Sequence, residues 1–297
     1  MREIIWRRLR LLVPDEWEML GYSTEFYKGR CWIADRYSER LEFSWQHVKT
    51  TPDIARMASQ YRARMVDEDI LEDVRGRRIG NWRGLVGEKE QLTVSRYIKH
   101  MPAEKVIAEL VFHWPGQRDE KLEERVCSSM REEPLVEALG ARLQHWRAFG
   151  MNMYPSENYG ITAMAVQPAM TRMSFGPRKR YASIFEDHFQ RLGMVSRWLQ
   201  GSVDDWLALK TPVYVSKQKT GRREHAGHAI ATVSGQAQKT NFVPFKREKG
   251  RYHAAAWICP HDHRLYYGYR VAPENDKGPA DIAGRRLSCC ADVGRLA

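Results

Sequence analysis

Leu9, Leu11 and Val13 alternate with Arg8 and Arg10, a period of two that predicts a half-buried strand. Pro14 ends it. Residues 31–34 predict a second short strand. Leu41, Phe43 and Trp45 alternate with Glu42, Ser44 and Gln46, which predicts a third strand with one wet face. Thr51-Pro52-Asp53 then reads as a helix start, with Thr51 as N-cap and Pro52 at the first helical position. Ile54, Met57, Ala58, Tyr61 and Met65 follow at helical spacing. Residues 75–80 read as a basic turn, and the glycines at 80, 84 and 87 as further turn signals. Residues 92–98 and 106–114 read as an antiparallel pair, and residues 119–131 as a helix with Leu122, Val126 and Met130 inward. Strands, helix, strands, helix predict an α+β layer with helices on an antiparallel sheet.

The pattern then restarts. Trp146-Arg147-Ala148-Phe149, with Pro155 and Tyr159 beyond, echoes Trp6-Arg7-Arg8-Leu9, Pro14 and Trp17. Phe149, Met151 and Met153 alternate as Leu9, Leu11 and Val13 do. The stretch 172–175 stands in the place of 41–43. A helix with Tyr181, Ile184, Phe185, His188, Phe189 and Leu192 on one stripe stands in the place of the one at 53–66. Two units with one opening imply a divergent internal duplication, the second copy shorter. After Leu209 the helical period is lost. Residues 228–233, 241–245, 251–259 and 264–271 read as strands, 273–284 as a polar loop, and 287–290 as a returning tail. The expected architecture is an α+β chain with units at 1–134 and 141–210, followed by a small, β-rich, basic unit at 211–297.

Length and composition narrow the class. At 297 residues the chain exceeds one small core, and 10 Trp, 13 Tyr and 9 Phe exclude global disorder. No apolar run approaches the roughly 20 residues that cross a bilayer, and the N-terminus lacks a signal-peptide pattern. Five cysteines without a disulfide framework predict a reducing, cytoplasmic setting. Of the net charge of +11, residues 211–297 carry 15 basic and 7 acidic side chains. A polyanion- or partner-binding face is therefore expected there.

Pro14-Asp15-Glu16-Trp17 after the first strand, Gly29-Arg30-Cys31-Trp32 and the strand from Leu41 to Trp45 resemble the Mog1/PsbP/DcrB-like superfamily. Its members are α/β/α sandwiches whose first strand runs into a Pro-x-x-Trp turn. The resemblance covers about residues 1–132 and, more faintly, 141–210. It implies protein-binding or accessory roles, such as small-GTPase regulation, photosystem assembly or effector chaperoning, and brings no catalytic residue with it. Residues 211–297 have no counterpart in that fold.

Chemistry concentrates at the C-terminal end. His225, His228, Cys259, His261, His263, Cys289 and Cys290 combine thiolates and imidazoles, the preferred zinc ligands. Cys259, His261 or His263, one of Cys289 and Cys290, and His225 or His228 can supply a tetrahedral set, with structural zinc as the expected cofactor. The bland alternative makes Cys259 a buried thiol and the histidines surface residues. A redox alternative pairs Cys289 or Cys290 with Cys259, or makes one of them a reactive thiol activated by Arg285 and Arg286. His225-Ala226-Gly227-His228 lacks the zincin order, and neither a phosphate-binding loop nor a nucleophile elbow occurs.

Arg178, Lys179, Arg180, Arg222, Arg223, Lys246, Arg247, Lys249 and Arg251 interleave with aromatic residues and can contact a polyanion or a partner. No RNP motif accompanies them. The expected function is a non-catalytic binding or assembly-accessory protein presenting a basic C-terminal face to a protein partner. A metal-dependent or thiol-based enzyme is the alternative, and a nucleic-acid-binding protein the third reading.

Overall fold

The computed structural model describes residues 1–289 apart from 69, 90–91, 139, 179–182, 241–246, 277 and 279. The chain divides into two compact units, Met1–Glu133 and Pro134–Ala297. Both are built mainly from antiparallel sheet.

The first unit runs β1 (Arg2–Trp6), β2 (Leu9–Val13), β3 (Glu18–Tyr22), β4 (Lys28–Ala34), β5 (Glu39–His47), α1 (Ile54–Asp67), β6 (Glu72–Ile79), β7 (Trp82–Lys89), β8 (Leu92–Met101), β9 (Val106–Pro115), α2 (Glu120–Ser129) and β10 (Arg131–Glu132). Seven strands form one sheet in the order β3-β4-β5-β9-β8-β7-β6. The first three make a meander and α1 carries the chain to the far edge. Four more strands return, until Leu110 of β9 lies opposite Phe43 of β5. Beside this sheet, β1 and β2 form a hairpin to which β10 adds.

The second unit runs β11 (Val136–Ala138), β12 (Ala141–Leu143), β13 (Trp146–Ala148), β14 (Met151–Met153), β15 (Tyr159–Gln167), β16 (Met170–Pro177), β17 (Glu186–Leu192), α3 (Val195–Trp198), α4 (Val203–Lys210), β18 (Val215–His225), β19 (His228–Thr240), β20 (Arg247–Ile258), β21 (Leu265–Pro273) and β22 (Leu287–Ser288). Its large sheet has the order β15-β16-β17-β21-β20-β19-β18. That is the first unit's order, strand for strand. The small hairpin recurs as β13 and β14, closed by β22.

The two small hairpins turn alike. Arg7 and Arg8 join β1 to β2 with φ of 51° and 58°, and Phe149 and Gly150 join β13 to β14 with φ of 53° and 71°. Two consecutive left-handed residues in a two-residue loop match the right-handed twist of the flanking strands. Three of these four positions hold side chains that disfavour this conformation. Arg7 is compensated by stacking, its guanidinium lying 4.2 Å from the Phe26 ring centre. This geometry aligns Leu9 with Met151 and Trp6 with Ala148, two residues away from the Trp6–Trp146 match expected from sequence.

Several expectations change. Residues 211–297 are not a separate unit: β18 to β21 complete the sheet that β15 to β17 begin. Of the helix expected through Tyr181, Ile184, Phe185, His188, Phe189 and Leu192, Tyr181 lies outside the described residues and the part from Glu186 on is strand β17, in which Asp187 and Phe189 are buried while His188 and Gln190 alternate with them. Strand β16, which contains 172–175, pairs as the second strand of its sheet, whereas β5 is the third. The basic stretch 75–80 belongs mostly to edge strand β6, whose outward positions are charged. The cap of α1 is Asp53 rather than Thr51, its carboxylate accepting the Arg56 N–H at 2.9 Å. The expected strand at 241–245 lies outside the described residues.

In each unit one carboxylate, Glu123 or Asp187, is 0% exposed among the described residues and surrounded by donors. Glu123 of α2 is 0% exposed and accepts from the Tyr97 hydroxyl at 2.7 Å, Trp114 Nε1 at 2.7 Å and Arg118 Nε at 2.9 Å. Burial pushes the Tyr97 phenol far up, and the Glu123 charge adds to it. In the second unit Asp187 accepts from the Ser156 N–H and hydroxyl at 2.8 and 2.9 Å and pairs with Arg286 at 3.1 Å and Arg270 at 3.3 Å. A buried charge persists only when so paired.

Candidate functional site

Three soft donors converge in the second unit. His228 opens β19 after a turn in which Ala226 and Gly227 take φ of 48° and 75°. The register sets Ala231 opposite Ala256, and carried on by three residues it sets His228 opposite Cys259. Cys259 starts the turn into β21, its N–H donating to the Arg264 carbonyl at 2.9 Å and its carbonyl accepting the His263 N–H at 3.0 Å. Cys289 follows β22. One nitrogen of His228 and the sulfurs of Cys259 and Cys289 lie within 4.8 Å of one another. His228 and Cys259 are 3% and 1% exposed, and Cys289 is half-buried.

Hydrogen bonding fixes the tautomer of His228. Its Nδ1 lies 2.9 Å from the Ala226 carbonyl, which can only accept, so Nδ1 carries the proton. Nε2 lies 3.2 Å from Cys289 Sγ. Trp257 Nε1 donates to the same sulfur at 3.3 Å. This is the arrangement of a metal-ligating histidine, oriented through its other nitrogen by a backbone carbonyl.

The other candidate ligands are distributed around this trio. His261 is exposed on the turn after Cys259, its ring centre 6.4 Å from that of His228. His263 is exposed two residues on, with φ of 55°. His225 packs on the Gly284 turn, where φ is +75° and a Cβ would clash with the His225 imidazole. Cys290 lies outside the described residues.

Of the five described members of the expected basic face, four are engaged with their own chain. Arg222 pairs with Asp204 at 2.7 Å and Arg223 with Asp281 at 3.3 Å. Arg178 donates to the Tyr159 carbonyl at 3.1 Å and the Glu157 carbonyl at 3.2 Å. Arg251 donates to the Asp276 carbonyl. Lys249 is exposed on β20. Lys179, Arg180, Lys246 and the side chain of Arg247 lie outside the described residues.

A serine, a histidine and an acid also meet on β16 and β17. Ser174 Oγ lies 2.8 Å from His188 Nδ1, and Glu186 lies 3.9 Å from that same nitrogen. A catalytic relay needs the acid on the nitrogen opposite the serine. Here both share one nitrogen, and the ring stacks on Tyr269 at 4.7 Å. Burial holds the His188 pKa down at about 4, the nearby Glu186 charge opposing and Arg172 reinforcing it. The group is a neutral packing element.

Sequence reasoning missed a large cleft in the first unit. Only Met65 of α1 is buried, and Met57 is 36% exposed, although both belong to the apolar stripe. Beneath the helix the sheet leaves a cavity of about 1210 Å³. Its floor carries the Arg96–Glu109 ion pair, with Ser44 donating to Glu109 at 3.2 Å. Arg96 stacks on Tyr61 at 4.3 Å and Arg30 on Trp32 at 4.8 Å. Four arginines and one lysine line the cleft against three glutamates. The available signal was the wet face of β5, where Glu42, Ser44 and Gln46 read as facing solvent.

No helix among the described residues is long and apolar enough to cross a membrane. No protein-family model matches the chain, and no curated protein matches it. Among solved structures, a crystal structure of a protein from Bacteroides thetaiotaomicron VPI-5482 is similar at 13% identity and a TM-score of 0.31, over 50% of this chain and 50% of that one. The chain thus spans about half the length of that protein. The MucA/MucB complex of Pseudomonas aeruginosa is similar at 9% identity and a TM-score of 0.12, over 88% of this chain and 92% of that one.

Proposed function

We propose that this chain is a non-catalytic binding protein, and that the cleft beneath α1 receives an acidic, extended segment of a partner protein. The observation that carries this reading is the cleft itself. It is deep, walled by aromatic rings, and has an excess of cationic groups over acidic ones. Concave sites with a few converging polar groups are where ligands bind. Stacking on Trp32 holds the Arg30 guanidinium in place, so less entropy is lost when it donates to a partner's carboxylate.

The contact surface moves accordingly, from the basic C-terminal third to the first unit. The arginines at 178, 222, 223 and 251 already have acceptors within their own chain. Arg83 and Arg64 border the cleft, Arg64 in a solvent-exposed pair with Glu68 at 3.8 Å that competes weakly with a ligand. A tandem of two Mog1/PsbP-like units, arisen by internal duplication, is supported by the shared strand order and by the Pro14 carbonyl that accepts the Trp17 N–H at 3.1 Å. Binding and accessory roles suit that resemblance.

The test is a tryptophan-fluorescence titration with Asp/Glu-rich peptides and with basic peptides of equal length. Acidic peptides are expected to bind, and the double variant R64E/R83E to weaken them by more than tenfold. Equal response to acidic and basic peptides, or an unaffected double variant, rejects the cleft as the site. A second reading, a metal-dependent or thiol-based enzyme, draws on the trio His228, Cys259 and Cys289. It requires a coordination position open to substrate.

A further inference from the structure

The geometry points to a structural zinc site in the second unit, with His228 Nε2, Cys259 Sγ and Cys289 Sγ as ligands and the His261 imidazole as the fourth. Two thiolates and an imidazole are zinc's preferred donors, and four ligands close a tetrahedral site. The donors come from three separate segments: the start of β19, the turn that follows β20 and the residue after β22. The outer contacts are already in place, since the Ala226 carbonyl holds Nδ1–H of His228 and Trp257 donates to Cys289 Sγ. Zinc enters as the dication and displaces one proton from each thiol, leaving a neutral dithiolate site.

Comparison of the two units shows what such a site does. In the first, the segment between the last sheet strand and the closing strand is α2, which buries Leu122, Val126 and Cys127. In the second, none of the described residues between 274 and 286 is helical, and the closing strand β22 has two residues. A metal bound at Cys289 fastens that strand to the end of the large sheet, in place of the missing helix packing. Small, loop-rich segments commonly rely on such a staple.

The test uses the full chain, produced with zinc in the medium. Elemental analysis is expected to give about one zinc per chain. Cys289→Ser and His228→Gln should each lose it, while Cys31→Ser in the first unit keeps it. Cobalt substitution of the wild type should give the intense visible bands and thiolate charge-transfer absorption of a tetrahedral site, both lost in Cys289→Ser, which tests the ligand even where Cys259→Ser does not fold. His261→Ala should weaken zinc more than tenfold, and unchanged affinity would remove His261 from the set. Absence of zinc from the wild type, its retention in Cys289→Ser, or a mass two units low from a Cys259–Cys289 disulfide overturns the proposal.

Discussion

Under α1 the first sheet presents Ser44, Arg96 and Glu109; under α4 the second presents Tyr252, Ala254, Ala256 and Tyr267. The strand order is the same, and the helix in each case carries the chain from the third strand to the far edge. The alanines let α4 approach closely, so Leu207 is fully buried and Val203 and Trp206 pack beside it. The Arg96–Glu109 pair occupies that space in the first unit, and α1 rests on the sheet mainly through Met65 and Tyr61. One topology thus yields a sealed core or an open cleft, according to a few side chains on the inner strands. Ridge-and-groove packing needs small residues somewhere, and an ion pair with its own partners has no need of a helix above it.

The largest effect should come from ending the chain at Lys210. That removes four of the seven strands of the second sheet, so hydrogen exchange should find no protected second unit in the fragment. Cooperative protection of residues 146–192 in such a fragment would restore a boundary at 210. Next, Leu207→Ala should cost about 2–5 kcal/mol, as buried leucines do, whereas Met57→Ala should stay within about 0.5 kcal/mol, as exposed sites do. Urea denaturation measures both, and equal costs would dissolve the contrast between the helix faces.

His188 sharpens the contrast through pH. Its folded pKa of about 4 lies below the ordinary value of 6.5. The full contribution to stability is therefore present above about pH 6.5 and is lost as pH falls toward 4, by up to about 3 kcal/mol. His188→Gln should flatten that limb of the stability–pH curve. The smallest effects belong to the caps. Asp53→Ala and Ser202→Ala should each cost about 1 kcal/mol. The Ser202 loss should be the more visible in a thermal melt, because α4 is part of a packed core and α1 is not.

Strands with one wet face were legible in the sequence, as Leu9–Val13 and the Leu41–Trp45 stretch show. Legibility failed where charge marked an edge rather than a loop, as at Arg75, Arg77 and Arg78 in β6. It failed again in β17, where aromatic and apolar residues on both faces mimic a helical stripe. The restart near Trp146 was visible, but its extent was not, because β18 to β21 are joined to β15 to β17 only by long-range pairing. The metal candidates were legible as residue types in the last third. Choosing His228 over His225, and Cys289 beside Cys259, needs the register of β19 on β20 and the return of β22. The cleft beneath α1 was unreadable, since periodicity alone cannot tell a stripe that meets a core from one that overhangs a cavity.

The pairing of β17 with β21 also sets a schedule for synthesis. His188 leaves the ribosome 81 residues before its partner Tyr269, a wait of roughly 4–16 s at typical elongation rates of about 5–20 residues per second. Through that interval β17 has only β16 beside it, and its other edge stands open to any strand nearby. A nascent chain of this protein therefore has a defined window of vulnerability to misassembly, closed only when β21 arrives.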